Sequence, residues 1–388
     1  MKRFVSAEPG RRSLGVVLAA LLTAAGCAPT QAGAPPAKAA PPPIVVPTVV
    51  VTPYSDAELV QQFEQGRELL LTGEHKQAAA IFDRLVRLVP DGEMTAASLF
   101  NSGIAHEALG ERSLAVERYQ AVIDRFPDHP ISKNALLRYS RVLAYVERWS
   151  DLAAAGERIL LRSDLEVIDL IEAHGARALG LVAQDDLEGA TRHAAIATDL
   201  IEQHRLGEAG KPPIELAQAS FALGEVRRKK SERIVFTPLP PDFPDVLEQR
   251  CQGLLDAQSA YTDAMRSMDA HWSAMAGYRV GQLYQQLHRD VMQVPAPATA
   301  DTPRRKQLFD GAMRLRYRIL LEKGLKMMDA TVRLGERTGE ASPWIGRARE
   351  AKRDLERAFE DEKAALAKMP FTEKEIQAGL DSLRKKKP

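Results

Sequence analysis

The sequence predicts an all-α protein, a solenoid of stacked helix pairs closed by C-terminal capping helices, and two observations carry that prediction. First, Gly66 and Gly103, Gly73 and Gly110, Ala78 and Ala115, Phe82 and Tyr119, and Pro90 and Pro127 all pair at one offset of 37 residues. A two-helix unit cannot bury its apolar face alone, so such a repeat stacks on its neighbours. Second, aromatic residues make up only 6% of the 388 residues, while the helix formers Ala, Leu, Glu, Arg and Gln are abundant.

The N-terminus reads as a secretory signal over residues 1–26. Lys2, Arg3, Arg11 and Arg12 supply a basic start, residues 14–22 an apolar run too short to span a bilayer, and Ala24, Ala25 and Gly26 lead into Cys27. Small residues directly before a cysteine resemble a bacterial lipobox, although Ala24 stands where leucine is usual. The resemblance implies cleavage before Cys27, acylation of that cysteine and a membrane anchor carrying palmitate-type chains. Ala28 in place of Asp implies, by the sorting pattern of such lipoproteins, delivery to the outer membrane. An ordinary signal peptide with Cys27 incidental is the alternative. Without residues 1–26 the formal charge falls from +1 to −2, so no global basic field invites nucleic acid.

Residues 27–55 form a tether rich in proline and alanine, which favours extended polyproline II. At ~3.1 Å per residue its proline-rich stretch 28–53 reaches roughly 80 Å. Within it, residues 44–46 and 49–51 are apolar enough to dock elsewhere or on the body of the protein.

Residues 56–205 form the N-terminal repeat array. Its first two units run Gly66, Gly73, Ala78, Phe82, Leu85, Pro90 and Gly103, Gly110, Ala115, Tyr119, Val122, Pro127. They resemble the tetratricopeptide repeat. Small residues stand where paired helices approach closely, an aromatic fills the gap, and proline ends the second helix. A third unit near 133–166 keeps Tyr139 and Trp149 but lacks the turn glycine, and a fourth near 171–204 keeps Ala178 and Ala190.

Residues 206–300 read as degenerate units with an insert. Phe221 and Gly224 match a first helix and Ala257, Tyr261 and Ala264 a second, but Gly224 and Ala257 stand much further apart than the matching Gly66 and Ala78 of the first unit. The intervening segment holds the basic run 227–230 and the proline-rich run 235–244, which is not helical throughout. Gly281 and Tyr284 open the next unit. Residues 301–388 read as C-terminal helices, the first with an apolar face through Leu308, Ala312, Leu315, Ile319, Met327, Met328 and Val332, broken by Gly335, Gly339 and Pro343. A charged helix follows from about Trp344 to Lys368, then Thr372 and Glu375 form a capping box for a last helix ending in lysines.

Catalytic signatures are incomplete. His288, Arg289 and Asp290 spell a kinase triplet without the glycine-rich loop or Asp-Phe-Gly that must accompany it. A phosphate-loop reading of residues 207–211 fails because Pro212 follows the lysine. The eight histidines include no His-Glu-x-x-His and no pair four apart, which argues against metal catalysis. Cys251, the second of two cysteines, reads as a small buried residue on a helix.

The resemblance to the tetratricopeptide repeat implies ligand contacts from the first helix of each unit: Val60, Phe63, Arg67 and Leu70, then Ala97, Phe100, Ile104 and Glu107. Packing of both phenylalanines between helices is the competing reading. Phe236, Leu239 and Phe243, set among prolines, offer a second, preorganised apolar strip for a partner; the alternative is a lid folded onto the solenoid. These features lead to the expectation of a lipid-anchored, periplasm-facing scaffold holding other envelope proteins, with no enzyme activity, cofactor or small-molecule substrate. Barrel assembly, pilus or secretin assembly, gliding motility and envelope integrity all use proteins of this resemblance. The alternative is an envelope enzyme, or its regulatory subunit, acting on glycan or peptidoglycan. A compact pocket with converging acids in the C-terminal half would mark it.

Overall fold

The computed structural model describes residues 54–208, 210–372 and 374–378. The secretory signal, Cys27 and nearly all of the tether therefore lie outside the described residues. Thirteen helices follow in order among those described: α1 (Asp56–Leu71), α2 (His75–Leu88), α3 (Thr95–Ala108), α4 (Arg112–Arg125), α5 (Ser132–Tyr145), α6 (Trp149–Leu160), α7 (Val167–Ala183), α8 (Leu187–Gln203), α9 (Glu215–Glu232), α10 (Phe243–Arg266), α11 (Ala270–Met292), α12 (Pro303–Thr338) and α13 (Pro343–Ala367). Each helix packs against the next, and α7, α9, α11 and α13 also pack each on the one two places before it. That is the arrangement of stacked pairs.

The 37-residue register is kept almost to the residue. Helix α4 begins and ends 37 residues after α2, and α5 begins and ends 37 after α3. The turns keep it too. Gly73 and Gly110 take the left-handed backbone conformation at φ 85° and 75°, and Glu147 and Asp185 take it at 59° and 62°. The third and fourth units have thus lost the glycine but kept the turn, at a cost on the order of 1–2 kcal/mol for a residue bearing Cβ.

The long fifth unit departs from the expected insert. The basic run 227–230 continues α9, because Lys and Arg propagate a helix readily, and α10 starts early with Pro244 in its first turn. Both helices are lengthened, and only residues 233–242 remain as loop. Gly335 does not break α12. It is buried within the helix, where an added Cβ would sit 2.9 Å from Ile345 Cδ1, and the helix stops at Gly339 with φ 75°. The capping box at Thr372 is present, with Thr372 N donating to Glu375 at 2.8 Å.

The chain returns on itself at the turn between α12 and α13. Glu340 lies 3.4 Å from Arg112, 228 residues earlier, and 3.2 Å from His271 Nδ1. Arg347 pairs with Glu147 at 2.8 Å, and Tyr145 stacks 4.2 Å from His271. Burial pushes the Glu340 carboxyl up, but the hydrogen bond from His271, with Ser342 and Arg112 beside it, outweighs that and holds it near 2, below the ordinary 4.5. This stabilisation is therefore complete above pH 4.5 and is lost as pH falls toward 2. Glu340→Gln is expected to lower stability by about 1.5–3 kcal/mol at pH 7 and to flatten the acid limb of the melting profile. An unchanged limb would show that the contact contributes nothing.

Candidate functional site

Within the repeats, the first helix offers a small residue and the second drops a ring onto it. An added Cβ at Gly103 would lie 2.5 Å from the Tyr119 ring, and one at Gly224 would lie 2.6 Å from Tyr261. Three residues before the glycine, the first helix adds a second ring. Phe63 meets Phe82 at 5.6 Å, Phe100 meets Tyr119 at 5.8 Å, and Phe221 meets Tyr261 at 5.3 Å.

These contacts place the sequence candidates. Phe63 and Phe100 are half-buried, each engaged by the second helix of its own unit, and they belong to separate apolar clusters. Ile104 is half-buried. Arg67 is exposed and pairs with Glu64 at 2.9 Å. From Glu107 onward the first helices are linked by ion pairs: Glu107 with Arg138 at 3.0 Å, and Arg141 with Glu172 at 2.9 Å and Glu215 at 3.2 Å. Glu172 is 1% exposed, and burial, only partly offset by Arg141, pushes it up to about 7. Arg141 stands one repeat period after Ile104, so this polar line occupies the register from which ligand contacts were expected.

A cleft of about 490 Å³ lies between the end of α9, the loop 233–242 and one face of α11. Phe236, on this loop, is 3% exposed and packs edge-on against Phe243 at 5.4 Å, so its ring is part of the core; Leu239 is 37% exposed. Val235, beside Phe236 in the lining of the cleft, is 63% exposed. The backbone groups of Val235, Phe236 and Thr237 make no hydrogen bond among the described residues.

Opposite them, Gln282, Gln286, Asp290 and Gln293 form one stripe on α11 and its C-terminal cap. Asp290 is fixed by Arg250, itself 1% exposed, at 3.1 Å and accepts from Gln286 at 2.7 Å. Arg228 is locked by Glu225 and Glu232, each at 2.7 Å. The cavity thus sets a free backbone edge against carboxamides, each able to donate and accept. Such a cleft can hold an extended peptide between two hydrogen-bonding walls. The glutamine stripe was missed in the sequence because it gains meaning only when the loop is laid across it.

Cys251 is half-buried and burial raises its thiol pKa, which disfavours the reactive thiolate. Among the described residues no group of three or more His, Cys, Asp or Glu is placed to hold a metal ion, and no helix is long and apolar enough to cross a membrane.

The tetratricopeptide repeat pattern matches residues 97–129, which span most of α3 and all of α4. No curated protein sequence matches the chain. Similar solved structures include a tetratricopeptide repeat protein from Parabacteroides merdae, 12% identical over 76% of this chain and 99% of that one with a TM-score of 0.41. The apo form of RapI is 11% identical over 78% and 99%, with a TM-score of 0.44. Yeast Tom70 is 12% identical over 85% and 96%, with a TM-score of 0.27. Residues 97–129 carry a tetratricopeptide repeat, and α2 with α4 and α3 with α5 keep its 37-residue register.

Proposed function

We propose that this protein is a scaffold that captures an extended segment of a partner protein in the cleft between residues 234–237 and α11, and that it works in a cell-envelope complex. Its repeats make it a protein–protein interaction scaffold. The observation that carries the finer reading is the unpaired backbone edge of Val235, Phe236 and Thr237 facing the glutamine stripe. An added strand satisfies that edge without any change of fold. The envelope setting is supported by the secretory-type start and the small residues before Cys27. On this reading Cys27 is acylated and holds the scaffold at the outer membrane, facing the periplasm.

A photo-crosslinker in place of Val235, used in intact cells, tests the cleft. Crosslinked partners are expected there and not at Leu161, which is 82% exposed and lines no part of the cleft. Replacing Gln282, Gln286 and Gln293 with alanine removes several neutral hydrogen bonds and is expected to weaken capture about tenfold or more. Equal crosslinking at both positions would sink the proposal. For the anchor, Cys27→Ser is expected to release the protein from membranes and remove lipid mass from its N-terminus; a membrane-bound variant beside unlipidated wild type would overturn it.

A further inference from the structure

The C-terminal helices carry a charge unlike that of the rest of the chain. Residues 301–388 hold 22 Lys and Arg against 15 Asp and Glu, whereas residues 27–300 hold 27 against 36. Such an asymmetry within one chain points to contact with a polyanion or a charged membrane surface. The excess is concentrated on one face. On α12, Arg316, Ile319, Lys323, Lys326, Ala330 and Arg337 are all exposed, and their spacings of three, four and seven residues set them in one stripe along the helix. At ~1.5 Å per residue the stripe is roughly 30 Å long.

The acids of the same helix are mostly spent on other cations. Asp310 pairs with Arg314 at 3.0 Å, Glu322 with Arg318 at 3.6 Å, and Asp329 with both Arg333 and Lys352. Glu336, next to Arg337 in the chain, is exposed. Among the described residues none of Arg316, Lys323, Lys326 and Arg337 has an ion-pair partner. Two of the four lie over aromatic rings instead, Arg316 at 5.5 Å from the centre of Tyr317 and Lys323 at 5.4 Å from that of Tyr284 on α11. A ring holds a cation in place without cancelling its charge.

We propose that this face of α12 docks on a bilayer surface bearing anionic phospholipid headgroups. Lipid phosphates move in the plane of the bilayer, so they gather under cations whose spacing the helix sets. Lysine and arginine lay their aliphatic stems along the helix while the charged heads reach the phosphates. Ile319, 47% exposed among them, adds apolar surface at headgroup depth. The stripe exposes no aromatic side chain on which a base would stack, the usual platform for single-stranded nucleic acid. A single acyl chain holds a protein to a membrane only marginally, and a basic patch is the kind of second contact that makes such anchoring stable. The contact of the stripe itself does not depend on acylation of Cys27.

The test uses the full chain with Cys27→Ser as parent, so that no acyl chain contributes, and vesicles of phosphatidylcholine alone or mixed equally with phosphatidylglycerol. The parent is expected to sediment with the mixed vesicles, less as salt is raised. Adding Lys323→Gln, Lys326→Gln and Arg337→Gln is expected to weaken that binding about a hundredfold. Lys76→Gln, Arg87→Gln and Lys211→Gln together remove as many exposed cations elsewhere and are expected to leave it unchanged. Thermal melts check the fold. Should the stripe variant melt early, Lys326→Glu alone, at an exposed position, carries the test with a loss of about tenfold or more. Equal weakening by both triple variants would reduce the binding to net charge and overturn the face. Unchanged vesicle binding in the stripe variant would overturn it as well; a loss there of self-association, or of binding to a single-stranded oligonucleotide, would then assign the face to a second copy or to nucleic acid.

Discussion

Glu225→Ala is expected to cost about 3–5 kcal/mol, because it strips the central anion from a buried cluster and leaves its cations behind. Glu225 is 4% exposed. Its carboxylate lies 2.7 Å from Arg228 Nη2 and 2.8 Å from Arg279 Nε, and accepts from the Tyr261 hydroxyl at 2.6 Å. Arg228 would keep Glu232 and Arg279 would keep Gln282, but the tyrosine hydroxyl would lose its acceptor in a dry site. Glu225→Gln preserves volume and an acceptor and is expected to fall between the two. Urea melts followed by circular dichroism decide this. A loss below about 0.5 kcal/mol for the alanine variant would mean that the cluster is already open to water.

The same cluster sets a pH dependence. Burial raises the Glu225 carboxyl, but Arg279 and Arg228 more than reverse this and bring it to about 2, below its ordinary 4.5. With the folded value below the unfolded one, the contribution is full above pH 4.5 and disappears as pH falls toward 2. Wild type is therefore expected to lose more stability than Glu225→Gln between pH 5 and 3.

What could be read from the sequence follows from what is local. The positions of Gly103, Ala115 and Tyr119 fix a helix pair because the contact closes within one repeat, and the register copies it to neighbours. The turn at Glu147 was hidden, since its left-handed backbone is imposed by the stacked pair and not by its own residue type. Gly224 and Tyr261 were recognisable by kind, although the lengthening of α9 and α10 was not, because no pattern distinguishes a longer helix pair from an inserted loop. Phe63 and Phe100 were legible as periodic residues. Whether they meet a ligand or their own second helix depends on a ring carried by that next helix. The glutamine stripe on α11 and the return of Glu340 to Arg112 both depend on how helices lie against one another, which no single stretch of chain encodes.

Tyr119→Ala is expected to destabilise by about 3–5 kcal/mol, the range for emptying a fully buried aromatic site. Its side chain is 0% exposed, wedged over Gly103 with Phe100 beside it, and its hydroxyl donates to Glu107 at 2.7 Å. Tyr119→Phe removes only that hydrogen bond, and Glu107 retains Arg138 at 3.0 Å, so about 1 kcal/mol is expected. The gap between the two substitutions measures the ring. Gly103 supplies the complementary test. A leucine there overlaps the Tyr119 ring and should be severely destabilising alone, yet in the Tyr119→Ala background the same leucine enters the emptied space. The two substitutions are therefore expected to be non-additive by at least about 1 kcal/mol, with the double variant more stable than the sum of the singles predicts. Additive losses would mean that the glycine and the ring do not share one volume. An alanine variant within about 1 kcal/mol of wild type would show that this unit closes by collapse around the site, and that the ring is not what spaces its helices.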